Sequence, residues 1–189
     1  MKKRVLIILA EGFEEIEAVT SIDIMRRAGL DVTIAGLGKE LILGSRGLSV
    51  KADMPLDSYK GTPDAVVLPG GLKGVQNLAA SDKVKDIIES VHKTGNIIAA
   101  ICAAPAYVLA PMGLLNGKSA TCYPSESDKV KDIAKYKDQN VVVDGNIITS
   151  KGPGTAFDFA LKVVEVLRDG TVKENVRKAT LYGESQGKL

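Results

Sequence analysis

In the stretch AAICAAP (Ala99–Pro105), a mostly apolar run ends in Cys102, and small residues and a proline follow at once. Proline is tolerated in the first turn of a helix, so Cys102 is read at the break between a buried strand and a helix. A thiol forced into a strained turn there would face the amide-rich helix end. The partial positive charge of that end favours the thiolate, which is the nucleophilic form. Free cysteine is also among the most buried residue types, and position alone fits an inert packing thiol equally well.

Three other stretches carry residue types that could serve such a thiol. In GGLKG, Gly70 and Gly71 allow close backbone approach and present N–H groups to an anion or a developing oxyanion; a plain turn explains them too. In EGFEEIE, Glu14, Glu15 and Glu17 fall in the first turns of a helix, where the dipole favours acids, and two of the three need only be solvated capping charges. A carboxyl turned inward would be desolvated, its pKa raised, and able to donate a proton to a nearby thiolate. KGPGTAF is a tight loop opening another helix, which could wall a pocket. The single histidine, His92, cannot join Cys102, because Asn96–Ile101 spans about 20 Å of strand between them. It is read as a surface helix residue, and papain-type activation of the cysteine is excluded.

These residues need a scaffold, and the chain spells one out. VLIILA (Val5–Ala10) leads into a helical EEIEAVTSIDIMRRAG; VTIAG and DAVVLPGG follow, then the helical SDKVKDIIESVHKTG. NIIAAIC precedes an apolar helix, AAPAYVLAPMG; KSATCYP precedes a charged helix, SDKVKDIAKY. VVVDGNIITS reads as a hairpin turning at Asp144-Gly145, and TAFDFALKVVEVLRDG and a final helix close the chain. Alternation of this kind predicts an α/β fold, with parallel strands joined by right-handed crossovers and helices on both faces. Ligands then bind outside the carboxyl ends of the strands. All four candidate stretches stand at such ends.

The 189 residues are 45% hydrophobic and 25% charged, which fits one domain over 1–189. A net charge of +2 with interleaved lysines and acids gives no basic face for nucleic acid. The apolar run after MKKR is too short for a signal peptide, acids follow it, and no run spans a membrane. Two cysteines without paired spacing point to free thiols in the cytoplasm. GLLNGKS is one residue short of a phosphate-binding loop, GPGTAF lacks the third glycine of a dinucleotide fingerprint, and no ligand spacing supports a metal. Neither metal nor cofactor is expected, and Cys122 is read as a small packing residue.

Together EGFEEIEAV, MRRAGLDVTIAGL, VVLPGG, AAICAAP and TSKGPGTAFDFAL resemble the DJ-1 family of the DJ-1/ThiJ/PfpI superfamily, from about residue 3 to about residue 168. The resemblance implies a flavodoxin-like, doubly wound sandwich assembled as a homodimer. It matches Cys102 to a reactive cysteine that oxidises readily to a sulfinate, and Glu17 to the acid that hydrogen-bonds its sulfur. It matches Gly70 and Gly71 to glycines whose amides face the site, with the amide of Ala103 beside them. Arg27 and Arg46 match arginines near the site at the dimer contact, at least one reaching across, and Pro153 matches a pocket-lining proline. Glu14 is placed with these pocket residues. Tyr123 stands where close relatives of the human protein have histidine, Ala103 where PfpI-type peptidases have one, and Lys151 where arginine is frequent. Protease function is therefore not expected.

What the resemblance implies for activity is a glyoxalase or deglycase acting on reactive dicarbonyls such as methylglyoxal and glyoxal, or on their protein adducts, in carbonyl and oxidative stress defence. The alternative is a redox sensor or redox-regulated chaperone working through oxidation of Cys102. An apolar face on the first helix (Ile16, Val19, Ile24, Met25) adds a modest argument for a dimer.

Overall fold

The computed structural model describes residues 2–183; Met1 and residues 184–189 of the expected 1–189 domain lie outside the described residues. The elements run β1 (Arg4–Leu9), α1 (Glu15–Arg27), β2 (Asp31–Gly36), β3 (Leu41–Leu43), β4 (Ser49–Lys51), β5 (Met54–Pro55), β6 (Ala65–Leu68), α2 (Leu72–Ala80), α3 (Asp82–Lys93) and β7 (Ile97–Ile101). They continue with β8 (Ser119–Ala120), α4 (Asp128–Lys131), β9 (Lys135–Tyr136), β10 (Val141–Asp144), β11 (Ile147–Ser150), α5 (Ala156–Leu167) and α6 (Gly170–Ala179).

Seven strands form one sheet in the order β10-β11-β7-β6-β1-β2-β5, parallel throughout except for β10 against β11. The apolar runs of β1, β6 and β7 are buried almost end to end, because helices cover both faces of the sheet. One layer holds α1, α5 and α6; α2, α3 and the segment after β7 form the other. This is the doubly wound, flavodoxin-like architecture.

Strand order reverses around β1, which has β2 on one side and β6 on the other, so a crevice opens at the carboxyl ends there. The pairings Ile7↔Val67 and Val67↔Ala99 keep β1, β6 and β7 level. Residues 10–14, 69–71 and 102–103 therefore emerge side by side.

The structure corrects several local expectations. After β7 there is no regular α-helix: Pro105–Leu109 is a π-helical turn, in which Ala110 N–H bonds the carbonyl of Pro105 at 2.9 Å. Pro105 and Pro111 bound this stretch and cannot donate to a helical ladder. The charged helix shrinks to four residues, α4, and Lys135–Tyr136 is strand instead. The hairpin loop is Gly145–Asn146, with Gly145 at φ 61, while Asp144 ends β10 and accepts from Ser119 N–H. The short β3–β4 hairpin and α2 add to the elements read from the sequence. On α1, Ile24 and Met25 are buried in the core, so only Ile16 and Val19 remain as exposed apolar surface.

Candidate active site

The site is built outward from the end of β7. Cys102 has φ 65, left-handed backbone that a non-glycine residue adopts only when its surroundings hold it there. Both of its backbone groups are tied: its N–H donates to Ser150 O (2.9 Å), and its carbonyl accepts from Tyr123 N–H (2.8 Å). Ser150 at the end of β11 and Tyr123 thus fix the turn, and the turn aims the side chain at the crevice. The strained junction expected from AAICAAP is present.

Glu17 comes to the same point from the first turn of α1. It is fully buried, and its Oε2 accepts from Gly70 N–H at 2.7 Å. Its other oxygen, Oε1, has no hydrogen-bond partner among the described residues. Burial pushes the Glu17 carboxyl up to about 8; the Gly70 bond opposes the shift, the charge of Glu14 adds to it, and the thiol of Cys102 opposes it. Burial thus favours the protonated carboxyl at Glu17.

The cysteine departs from expectation. Burial pushes the thiol up, as do the charge of Glu17 and the hydrogen bond between the two groups, while the N–H groups of Gly71 and Ala103 pull it down. The helix end expected to favour a thiolate is a π turn, and two isolated amides do not outweigh the loss of water around the sulfur. The contribution from the charge of Glu17 applies only while Glu17 is ionised. The two groups are thus one acid–base pair that titrates as a unit, and losing one proton leaves a thiolate beside a carboxylic acid or a thiol beside a carboxylate.

The glycine strip shapes the approach. At Gly70 a Cβ would lie 2.5 Å from Cys102 Cβ and 2.7 Å from Glu17 Oε2, so only glycine lets the carboxyl and the sulfur meet. Its N–H is spent on Glu17, which corrects the expectation that Gly70 serves an oxyanion; the N–H groups of Gly71 and Ala103, which face the sulfur, are better placed. Gly71 has φ 88, and a Cβ there would run into Gly12 O and lie 2.8 Å from Glu14 N. Gly71→Ala should lower stability by about 2 kcal/mol or more and slow alkylation of Cys102; thermal denaturation and iodoacetamide kinetics measure both.

Cys102 opens onto a cavity of about 640 Å³ lined also by Glu14, Arg46, Gly71, Ala103, Tyr123 and Pro153. Glu14 caps α1, its Oε2 accepting from Glu17 N–H at 2.8 Å. The structure therefore brings together Cys102, Glu17, Gly70, Gly71, Ala103, Glu14, Arg46 and Pro153. Within a single chain Arg27 lies apart from them. Ten residues of helix beyond Glu17 carry it about 15 Å along α1, where it pairs with Asp23 at 2.6 Å. His92 is exposed near the end of α3, at the opposite end of β7 from Cys102. Cys122 is fully buried, donates to Tyr123 O at 3.4 Å and is pushed up to about 11 by burial. Among the described residues no cluster of three or more His, Cys, Asp and Glu could hold a metal ion.

Residues 3–166 match the DJ-1/PfpI family. The chain belongs to this family. It is 47% identical over 180 residues to the Parkinson disease protein 7 homolog of Danio rerio, a match covering 93% of this chain and 95% of the relative. The crystal structure of Drosophila melanogaster DJ-1beta superposes with a TM-score of 0.92 at 44% identity, over 97% of this chain and all of that one. A Caenorhabditis elegans protein named glutathione-independent glyoxalase DJR-1.2 is 38% identical over 176 residues, 92% of each chain. The family accounts for the fold. The particular chemistry has to come from the site.

Sequence reasoning did not assign Glu15 or the β3–β4 hairpin a place at the site. Residue type and position group Glu15 with the other helix-start acids, and the hairpin strands are three residues long with both leucines of LIL exposed. No periodicity in the sequence marks either.

Proposed function

We propose that this DJ-1/PfpI protein is a cysteine-dependent glyoxalase, converting reactive dicarbonyls, free or attached to protein, into hydroxy acids without glutathione. The observation that carries this reading is the pairing of Cys102 with the buried carboxyl of Glu17 at the floor of an open cavity. A C. elegans relative that bears the glyoxalase name supports it. The site is taken to work in the cytoplasm, within a homodimer.

The chemistry follows from the pair. With one proton shared, the Cys102 sulfur attacks the aldehyde carbon, and the new alkoxide takes the proton from Glu17, giving a hemithioacetal beside a carboxylate. The Gly71 and Ala103 amides, which face the sulfur, steady the developing oxyanion. Glu17 then removes the proton from the former aldehyde carbon to give an enediolate and returns it to the neighbouring carbonyl carbon, while the hydroxyl proton passes from the first oxygen to the second. The product is a thioester of the hydroxy acid, which water hydrolyses to release acid and thiol. Overall, dicarbonyl plus water gives 2-hydroxy acid. No imidazole is required.

Methylglyoxal incubated with the protein and no glutathione should yield lactate, and prior alkylation of Cys102 should abolish the yield. Lactate at the buffer rate, or a yield unaffected by alkylation, would sink the assignment.

One observation favours the redox reading as a second role. Glu17 Oε1 is buried with no hydrogen-bond partner among the described residues, and an oxygen added to the Cys102 sulfur would give it one. Mild peroxide should then add two oxygens at Cys102 before any at Cys122, read by intact and peptide mass. Equal or reversed order removes this role.

A further inference from the structure

Among the described residues that line the Cys102 cavity, Tyr123 alone is aromatic, and its backbone is tied to the nucleophile itself. Its N–H donates to Cys102 O at 2.8 Å, and its own carbonyl accepts from Glu126 N–H at 2.9 Å. Pro124 follows and opens a short 3-10 turn. The ring lies against Gly152: a Cβ there would be 3.2 Å from Tyr123 Cδ2, 3.5 Å from its Cε2 and 4.0 Å from Glu17 Oε1. Ring and buried carboxyl oxygen therefore border the same space. All of these contacts lie within one chain, so the place of the ring does not depend on what a partner subunit supplies.

The cavity has two unlike sides. Sheet order puts β1 and β2 on one side of the crevice, and β7 and β11 on the other. On the first side the hairpin loop carries Arg46, with Glu15 buried beneath it. The Glu15 carboxylate accepts from Arg46 N–H (2.5 Å), Ser45 Oγ (3.1 Å) and Leu48 N–H (3.4 Å). Those bonds outweigh burial and hold this carboxyl below its usual range, so this side is polar and charged. On the second side stand Tyr123 and Pro153, and Glu126 beside them is paired with Lys129 at 2.6 Å. Leu72, the first residue of α2, adds an apolar side chain from beyond the end of β6. A histidine at 123, as in close relatives of the human protein, would put a titratable group on this side. Tyrosine puts a flat apolar face there.

We propose that Tyr123 makes the site select dicarbonyls that carry an aryl group on the ketone carbon. This rests on the glyoxalase reading and names its substrate class. With the aldehyde carbon on the Cys102 sulfur, the ketone substituent lies one carbon further out, within reach of a side chain whose backbone adjoins Cys102. An aryl ring there meets the tyrosine ring in the offset or edge-on arrangement that aromatic pairs prefer. Glyoxal and methylglyoxal offer only a hydrogen or a methyl group at that place and gain little from the wall.

The test is the ratio of kcat/KM for phenylglyoxal, read as mandelate, to that for methylglyoxal, read as lactate. This ratio should fall about tenfold in Tyr123→Ala, chiefly through KM, and stay near wild type in Tyr123→Phe. Comparing variants cancels the difference in intrinsic reactivity between the two aldehydes. A second arm needs no turnover. N-phenyliodoacetamide and iodoacetamide are both uncharged and share a leaving group, so their relative rates at Cys102 report aryl recognition alone. That rate ratio should fall severalfold in Tyr123→Ala and hold in Tyr123→Phe. If neither dicarbonyl is turned over, the glyoxalase reading fails and the alkylation ratio still decides the role of Tyr123. Ratios unchanged in Tyr123→Ala overturn the proposal. A fall in Tyr123→Phe as large as in Tyr123→Ala overturns it too, because the effect then belongs to the hydroxyl and not to the ring.

Discussion

Cys102→Ala should reduce lactate formation from methylglyoxal to the background rate, a loss of about a thousandfold or more, since the covalent intermediate forms on its sulfur. Backbone strain adds a second test at the same position. In ordinary helices and strands, glycine is less stable than alanine by roughly 0.5–1 kcal/mol. At φ 65 the order should reverse, because alanine keeps the left-handed cost that glycine avoids. Cys102→Gly should therefore melt at least as high as Cys102→Ala, with both inactive. Because Cys102 is only 9% exposed, both variants lose some packing, and their comparison cancels most of that loss. If alanine proves clearly the more stable, the turn is not strained. If Cys102→Ala retains turnover, the nucleophile is elsewhere.

The strained cysteine also shows what can and cannot be read from residues alone. The small residues and proline after NIIAAI announce a strand breaking into a turn, and the alternation of strands and helices places that turn at the carboxyl edge of a parallel sheet. Both are local patterns with one geometric outcome. The ionisation state is different. Whether the sulfur is desolvated, and whether the nearest charge is a dipole or a carboxylate, depends on which side chains the fold packs against it. A helix dipole was inferred where the chain makes a π turn, and the thiol moved the other way. The direction of the Gly70 N–H was equally out of reach: a paired-glycine motif offers amides, but tertiary packing decides whether each meets a substrate oxygen or, as here, Glu17.

EEIE makes the same point with three carboxyls. Glu14, Glu15 and Glu17 share a helix start, and the dipole argument treats them alike. The fold gives each a separate task. Glu14, at the cap, stays at the cavity wall; Glu15 turns beneath the loop at 44–48; Glu17 turns into the core at the sulfur. On a helix, residues two apart point about 200° around the axis from one another, so Glu15 and Glu17 cannot serve the same neighbour. That division was implicit in the spacing. Which partner each would meet required the β3–β4 hairpin, and three-residue strands with exposed leucines leave no periodic signal.

Glu17→Gln should stabilise the protein and disable it. With Glu17 pushed up from 4.5 to about 8, both folded and unfolded chains hold the proton below about pH 4.5. As pH rises from there towards 8, the unfolded chain releases it while the folded chain keeps it, so the unfolded state binds fewer protons and stability falls with pH. The full effect is of the order of 5 kcal/mol at most, reached near pH 8. Glutamine does not titrate and can still accept the Gly70 N–H, so the variant should melt several degrees above wild type at pH 8 and close to it at pH 4. Its turnover should drop by about 10²- to 10⁴-fold, the usual weight of a general acid–base group. The pH profile of Cys102 alkylation should also lose the rise that the shared proton gives near pH 8. A melting difference that does not vary with pH would mean the carboxyl is ionised in the folded protein. Wild-type turnover in Glu17→Gln would mean that protons reach the substrate by another route. Loss of activity with gain in stability is the signature of a carboxyl kept buried for its chemistry, because nothing in the packing of α1 requires an acid there.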